Sequence, residues 1–365
     1  MREKSNPENL LLLNNFPSRR FCIMRVKINL TFIILLVPFF ISMDLFAQYN
    51  EDPRLDPPSF NRVGKSGWQF LHLPTVARNS ALGGIKCGLT NNDVNSVFAN
   101  PANLVDINGT QAAFSQMEYL VETTYITGAI AKNFNEWGVI GVHFASFNAG
   151  DMIRTENSWD PTNGIVDRSG NLGTFTAGDM RIGLSYARSV TDRLSIGGNV
   201  AYIQEKLDDV EINNFTFDFG VFFQTGFKSL RFALLARNLG PDKQFTGFSQ
   251  LYGRPDMVKM PVDFFVGIGY DWIGGKESAD HTLSSYLELS HPNDAPERAH
   301  YAMEYIFMDL LALRGGYKFN YDEQSFTFGA GLKFEIEKIR MNFDYAYMDY
   351  GELENVNMFT VGFGF

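Results

Sequence analysis

The residues Met358-Phe359-Thr360-Val361-Gly362-Phe363-Gly364-Phe365 close the chain with an apolar side chain at every second position and no turn behind them. Side chains alternate faces along a strand, so this is a strand with one greasy face. A soluble sheet seldom leaves such an edge bare, because it invites pairing with other chains. A closed membrane barrel uses it: the last strand pairs with the first, and the apolar row meets lipid. Phe359, Phe363 and Phe365 are therefore read as a C-terminal assembly signal.

The same period of two recurs upstream. Phe215, Phe217, Phe219, Val221 and Phe223 alternate with Thr216, Asp218, Gly220 and Phe222. Phe326, Phe328, Ala330, Leu332 and Phe334 alternate with Thr327, Gly329, Gly331 and Lys333, and Ile339 to Tyr347 repeats the device around Arg340, Asn342, Asp344 and Ala346. A helix would space its apolar residues three and four apart, so these segments are strands. The pattern predicts strands near 110–120, 122–132, 136–147, 179–189, 193–205, 213–227, 229–238, 261–273, 281–290, 297–307, 309–319, 324–334, 339–349 and 356–365. That is an all-β, transmembrane outer-membrane β-barrel of about 14 antiparallel strands over 109–365.

The connections carry a second signal. Those after the second, fourth, sixth, tenth and twelfth strands are tight. Most of the others are longer: 148–178, 206–212, 239–260, 291–296 and 350–355. Such asymmetry is typical of outer-membrane barrels, with short periplasmic turns and long external loops. It predicts that both strand termini are periplasmic and that 148–178 and 239–260 are loops outside the cell.

The composition agrees. Of 365 residues 45% are hydrophobic, yet mean hydropathy is only −0.13, which excludes a bundle of membrane helices. Phe (34), Tyr (15) and Gly (33) suit strands, interface girdles and tight turns. One stretch is strongly apolar, Phe32 to Ile41, too short to span a bilayer as a helix. Arg25 and Lys27 precede it and Leu45-Phe46-Ala47-Gln48 follows. This is the layout of a secretory signal peptide over about 24–47, cut between Ala47 and Gln48, within a leader 1–47. The leader holds more basic than acidic residues, so a chain already at −10 becomes more acidic without it. That balance argues against nucleic acid as a partner. Residues 48–67, polar and Pro-containing, read as a mobile periplasmic arm. Residues 68–107 are too irregular for strands and too apolar for an open tail, so they read as an N-terminal hatch inside the barrel. Short helical turns fit 75–82 and 93–99, with Asn92 or Asp93 as N-cap. Asn100-Pro101-Ala102 marks a firm bend within the hatch.

Chemistry is sparse. The five His have no metal-ligand spacing and no Cys beside them, and Cys87 stands alone once the leader is gone. Gly64-Lys65-Ser66 lacks the Gly that a phosphate loop needs at position 59. No G-x-S-x-G elbow exists, and only His291 and His300 fall in one loop region, as a hydrolase site would require. No enzyme activity, cofactor or metal is expected. His143, Asp218, Asp344, Arg340 and Lys333 are predicted to face the lumen, because charge on the lipid face costs a few kcal/mol.

One resemblance runs through the chain. Trp68-Gln69-Phe70-Leu71-His72-Leu73-Pro74, Ala77-Arg78, Ala81-Leu82-Gly83-Gly84, Asp93 and Asn100-Pro101-Ala102 are similar to the N-terminal signature of PorV/PorQ family outer-membrane proteins, relatives of the fatty-acid transporter FadL. Gly183-Leu184-Ser185-Tyr186-Ala187-Arg188, Arg237-Asn238-Leu239-Gly240-Pro241, Leu313-Arg314-Gly315-Gly316-Tyr317 and Asp344-Tyr345-Ala346 extend it to about Phe365. Asn103 departs from the small or apolar residue usual after that motif. The resemblance implies a 14-stranded barrel with an inward-folded hatch. It also implies a part in the type IX secretion system of Bacteroidetes-like bacteria, by binding secreted cargo C-terminal domains or attachment-complex components. The other expected partners are outer-membrane lipid and the barrel assembly machinery. A FadL-like channel for hydrophobic small molecules is the alternative.

Overall fold

The computed structural model describes residues 64–90, 93–160, 162, 164–244, 257–274 and 280–365. The leader, the Ala47–Gln48 cleavage position and most of the 48–67 arm lie outside the described residues, as does much of 239–260.

Fourteen strands close into one antiparallel barrel in sequence order, β14 hydrogen-bonded to β1. They are β1 (Thr110–Glu118), β2 (Thr124–Asn133), β3 (Val139–Asp160), β4 (Gly164–Thr191), β5 (Leu194–Leu207), β6 (Val210–Gln224) and β7 (Arg231–Leu239). There follow β8 (Asp263–Ile273), β9 (His281–Pro292), β10 (Arg298–Phe307), β11 (Leu311–Phe319), β12 (Phe326–Ile336), β13 (Ile339–Met348) and β14 (Val356–Gly364). No helix among the described residues is long and apolar enough to cross a membrane.

The alternation sorts the wall as the sequence predicts. Phe215, Phe217, Phe219, Phe326, Phe328 and Phe359 are exposed on the outer face, while Thr216, Asp218, Thr327 and Thr360 are buried inside. An apolar outer belt over a polar lumen is the arrangement a lipid-embedded barrel requires.

Two predicted loops are instead strand. β3 and β4 run on past Asn148 and Gly178 as a hairpin that covers most of 148–178. Register shifts at Asn148/Asp151 and Ile153/Thr155 interrupt the period of two. Beyond the lipid belt no apolar row is needed, so the sequence there no longer advertises a strand. Likewise 206–212 is only a tight turn at Asp208 and Asp209, with Asp208 at φ 55. The long-loop end of the barrel therefore also carries short connections.

Inside the barrel, residues 68–107 form 3-10 turns at Gln69–His72, Val94–Phe98 and Pro101–Asp106 and one short helix, α1 (Ala77–Ala81). Asp93 caps its turn by accepting from the Asn95 N–H at 2.9 Å. The segment packs on the wall in several sectors. Val94, Val97, Phe98, Leu104 and Ile107 meet Ala113, Ala129, Ala131, Val139 and Ala187. Cys87 and Ala102 meet Phe222, Leu235 and Phe265, and Leu82, Ile85 and Leu89 meet Tyr286 and Ala302. Each fully buried large side chain contributes about 1.5–3 kcal/mol. A 14-stranded barrel is too wide for its own side chains to fill, and the small residues of its lumen face make room for this occupant.

The hatch threads the lumen lengthwise. It leaves beside the strand termini, where Asn133 Nδ2 donates to the Ile107 carbonyl at 2.8 Å. It begins at the opposite end, where the Gly67 N–H donates to the Lys259 carbonyl at 3.0 Å and Ser66 bridges the same residue. Ser66 and Gly67, the described end of the 48–67 arm, are thus bound at the barrel end opposite the strand termini. The Lys259 carbonyl, in the β7–β8 connection, gives the Gly67 N–H its partner.

Candidate functional site

The wall holds the hatch by reaching for its backbone. Thr360 Oγ1 accepts from the Ala77 N–H at 2.9 Å, Thr327 Oγ1 from the Gly83 N–H at 2.8 Å, and Gln111 Oε1 from the Val94 N–H at 3.1 Å. Glu288 Oε2 accepts from the N–H groups of Lys86 (2.9 Å) and Cys87 (2.5 Å). Asn199 Nδ2 donates to the Val97 carbonyl at 2.9 Å. These polar lumen groups complete the hydrogen bonding of an irregular segment that has little of its own.

Asn100-Pro101-Ala102 sits close against the wall. Asn100 Oδ1 accepts from the Ala102 N–H at 3.0 Å, and its Nδ2 donates across to the Val221 carbonyl at 3.1 Å. Pro101 opens the following 3-10 turn, where its missing N–H costs nothing. The wall opposite is the cross-strand pair Gly197 and Gly220. A Cβ on Gly220 would lie 2.0 Å from Asn100 Oδ1, and one on Gly197 would lie 2.5 Å from the Pro101 carbonyl carbon. The glycines form a notch that only they permit.

Charge fixes the hatch at one further point. Arg78 of α1 meets Glu304 of β10 through Nε–Oε1 at 3.0 Å and Nη2–Oε2 at 2.7 Å. Arg314 Nε joins Glu304 Oε1 at 2.8 Å, and its Nη1 meets Asp344 at 2.5 Å. Burial opposes the Arg78 charge, but the Glu304 carboxylate outweighs it and holds the guanidinium above its ordinary pKa. This bidentate geometry is the strong form of an ion pair.

Of the predicted lumen residues, three are inside. Asp218 accepts from Arg181 Nη2 (2.5 Å), Asn199 Nδ2 (3.0 Å) and the Asn238 N–H (2.9 Å). Asp344 closes the Arg314 network. His143 Nδ1 lies 3.0 Å from Ser185 Oγ, with its ring edge on Phe98, and its Nε2 makes no hydrogen bond. Arg340 and Lys333 stand apart from these three. They keep the inward parity but stand at the barrel rim, exposed, where Arg340 donates to the Asn108 carbonyl and Lys333 pairs with Asp309 at 3.4 Å. Parity gives a face and not a depth. His291 and His300 do not converge either: one pairs with exposed Glu297, the other with buried Glu288. Among the described residues no group of His, Cys, Asp or Glu could hold a metal.

At the loop end a chamber of about 940 Å³ lies between hatch and wall. Phe70, Leu73, Phe98, Tyr119, Phe147 and Tyr350 supply apolar surface, but the lining also carries carboxylates (Asp179, Glu205, Asp263, Asp294) and cations (Lys86, Arg298, Lys318). Asp294 is held by Ser66, by Gln69 Nε2 at 3.0 Å and by His72 Nε2 at 3.5 Å. Burial alone would raise its pKa, but these partners outweigh it and lower it. Burial, then Arg237, lowers the Lys86 pKa to about 8. Sequence inspection missed Glu304, Glu288 and the chamber charges. One signal was available for the wall residues: each is a lone charge between outward apolar neighbours, as Glu288 is between Leu287 and Leu289.

No family model matches the chain, and no curated protein matches it in sequence. Solved structures match in fold. The Pseudomonas putida toluene transporter TodX superposes with a TM-score of 0.53 at 10% identity, covering 80% of this chain and 97% of that one. The monoaromatic hydrocarbon channel CymD gives 0.50 at 11%, covering 79% and 96%. At such identity the similarity is one of architecture: this chain has a closed 14-stranded antiparallel β-barrel of the same fold as TodX and CymD.

Proposed function

We propose that the protein is a non-enzymatic outer-membrane channel of the FadL-like kind, which takes a small molecule into the loop-end chamber and passes it by displacing the hatch. The observation that carries this reading is the chamber itself, about 940 Å³, seated directly on a hatch that packs against the wall on several sides. A pocket of that size takes drug-sized ligands. The architecture shared with TodX and CymD supports transport more than protein export. The chamber departs from what a hydrocarbon carrier would want, because charged side chains line it.

A lumen closed at rest needs an opening step. Hatch and wall are joined mainly by side chain to backbone hydrogen bonds and one ion-pair network, all of which water or a ligand can replace. Apolar contacts with the wall add grip.

A second reading, the PorV/PorQ-like part in type IX secretion, is favoured by the β3–β4 hairpin. It projects well past its neighbours and offers a cargo-sized protein an edge to dock on. The test separates the two. Purified protein in proteoliposomes should pass small solutes slowly, and removal of 64–107 should convert it to an open pore. Absence of solute flux, together with co-purification of secreted C-terminal domains from native membranes, would replace the channel reading with the secretion reading.

A further inference from the structure

Two clusters of like charge line the chamber on opposite sides. Lys86 of the hatch, Arg298 at the start of β10 and Lys318 of β11 face it together. None forms an ion pair among the described residues. Lys86 lies over the Phe265 ring at 4.9 Å, and Arg298 over Tyr321 at 4.3 Å. Lys318, 7% exposed, donates to the neutral Gln324 Oε1 at 2.5 Å. The Arg298 Nε is buried without a hydrogen bond. The carboxylates close by are already engaged: Glu288 by two hatch N–H groups and His300, and Asp263 by Ser290 Oγ at 3.0 Å. Lys86, Arg298 and Lys318 thus outnumber the two carboxylates near them, Glu288 and Asp263, and charge withdrawn from water is ordinarily paired.

The other pole is acidic. Asp179 of β4 and Glu205 of β5 are direct cross-strand partners, and both line the chamber. Like charges directly opposite each other on a sheet repel. Their one hydrogen bond is the Trp68 N–H to Glu205 Oε2 at 3.0 Å, and no cation pairs with either among the described residues. In the closed strand order β4 and β5 stand nearly across the ring from β10 and β11. Between the poles lie Phe70, Phe98, Tyr119 and Tyr350.

We propose that the chamber binds an amphoteric ligand of the class of short peptides with free termini. The carboxylate docks among Lys86, Arg298 and Lys318, and the ammonium docks between Asp179 and Glu205. Each pole supplies what the other end of such a ligand lacks, and the aromatic residues between them accept side chains. This rests on the reading of the chamber as a ligand site. It names a ligand class that a hydrocarbon channel would reject, because transferring an apolar molecule beside unpaired charges removes their water and returns nothing.

The test is calorimetric titration of the full-length mature protein with the tripeptide Ala-Phe-Ala in three forms: free, N-acetylated and C-amidated. The free form is expected to bind, and each cap is expected to weaken it about tenfold. In Asp179→Asn the acetyl cap should lose its effect and the amide cap keep it, whereas Lys318→Gln should show the opposite. Because the caps alter only the ligand, the wild-type comparison stands even if a variant misfolds. Equal binding of all three forms, or binding of none, overturns the proposal. Solute flux without peptide binding overturns it and spares the channel. Peptide binding without flux supports it and removes the channel reading instead.

Discussion

Arg78 of the hatch and Glu304 of the wall form a two-pronged ion pair, 2.7 Å and 3.0 Å, with side-chain exposures of only 10% and 1%. A pair this buried is weak evidence for net stability, since desolvation offsets much of the attraction. Breaking it from one side is another matter. Glu304→Gln leaves Arg78 and most of Arg314 without their carboxylate, at a cost of about 3–5 kcal/mol. Cys87 is buried in the hatch, so its labelling by a small thiol reagent reports opening. The variant should label at least tenfold faster while the barrel stays heat-modifiable. The double variant Arg78→Met/Glu304→Met should fall back toward wild type. Equal labelling of wild type and Glu304→Gln would mean the pair does not hold the hatch.

The notch opposite Asn100 predicts an effect of opposite chemistry. Gly220→Ala places a methyl 2.0 Å from Asn100 Oδ1, where one of the two must move. Overpacking of this kind costs about 1–3 kcal/mol. Cys87 labelling should rise several-fold, and adding Asn100→Ala should recover part of the loss despite deleting three hydrogen bonds. If Gly220→Ala behaves as wild type, the motif is not seated in the wall.

Asp93 gives the hatch a pH dependence. Burial, only partly offset by Arg78, raises its pKa from 3.8 to about 6. Asp344, Lys333 and the Asn95 N–H are its other neighbours. A raised folded-state pKa means the folded form binds the proton more tightly than the unfolded one. Its stabilising contribution is complete below pH 3.8 and is lost as pH rises through about 6. Cys87 labelling with a dipyridyl disulfide, corrected by the rate for unfolded chain, should accelerate between pH 5 and 7. Asp93→Asn keeps the cap and should flatten that rise. A flat wild-type profile would remove Asp93 from the account.

These networks show how far the sequence could be read. Parity located the wall, because a lipid-facing row must be apolar over its whole length, and Phe359, Phe343 and Phe328 obey it. It placed Asp218, Asp344 and His143 inside for the same reason. It said nothing about height, so Arg340, which shares the inward parity of Asn342, stands at the rim. It said nothing about partners either. Arg78 and Glu304 are joined across the lumen by tertiary packing, which leaves no local pattern in either segment. The β3–β4 hairpin was missed because strands outside lipid need no apolar face, and what remained looked like loop.

The hairpin supports one expectation about membrane orientation. β3 and β4 project at the end opposite the strand termini, and a polar two-stranded extension suits water and not a peptidoglycan-facing surface lined with tight turns. A tag inserted at Thr162, an exposed tip residue, should therefore bind antibody on intact cells. A tag in the Glu337–Lys338 turn, where both residues have positive φ, should bind only after the outer membrane is opened. The reverse pattern would invert the barrel and put the chamber in the periplasm.

The seam between β1 and β14 yields the last prediction. Phe365 donates its N–H to the Thr110 carbonyl at 2.8 Å and accepts from the Thr110 N–H at 3.2 Å, a two-bond pair that ends the closure. Gly109 is pressed against it, with φ 69 and room for no Cβ, which would lie 2.2 Å from the Phe365 carbonyl oxygen. The Phe365 ring itself is 64% exposed on the outer face, in line with Phe359 at 58%. Deleting Phe365 therefore removes two backbone bonds, frees the exit of the hatch at Gly109 and shortens the apolar row. Phe365→Asp keeps the backbone bonds and removes only the ring, adding a charge to the lipid side of the seam. If backbone closure dominates, the deletion alone should abolish heat-modifiable barrel in the outer membrane. If the aromatic row is what the assembly machinery recognises, both changes should do so, leaving degraded chain in the periplasm. The exposed ring in an unbroken outward row favours the second outcome. Normal insertion of both variants would show that the β1–β14 seam closes without its last residue.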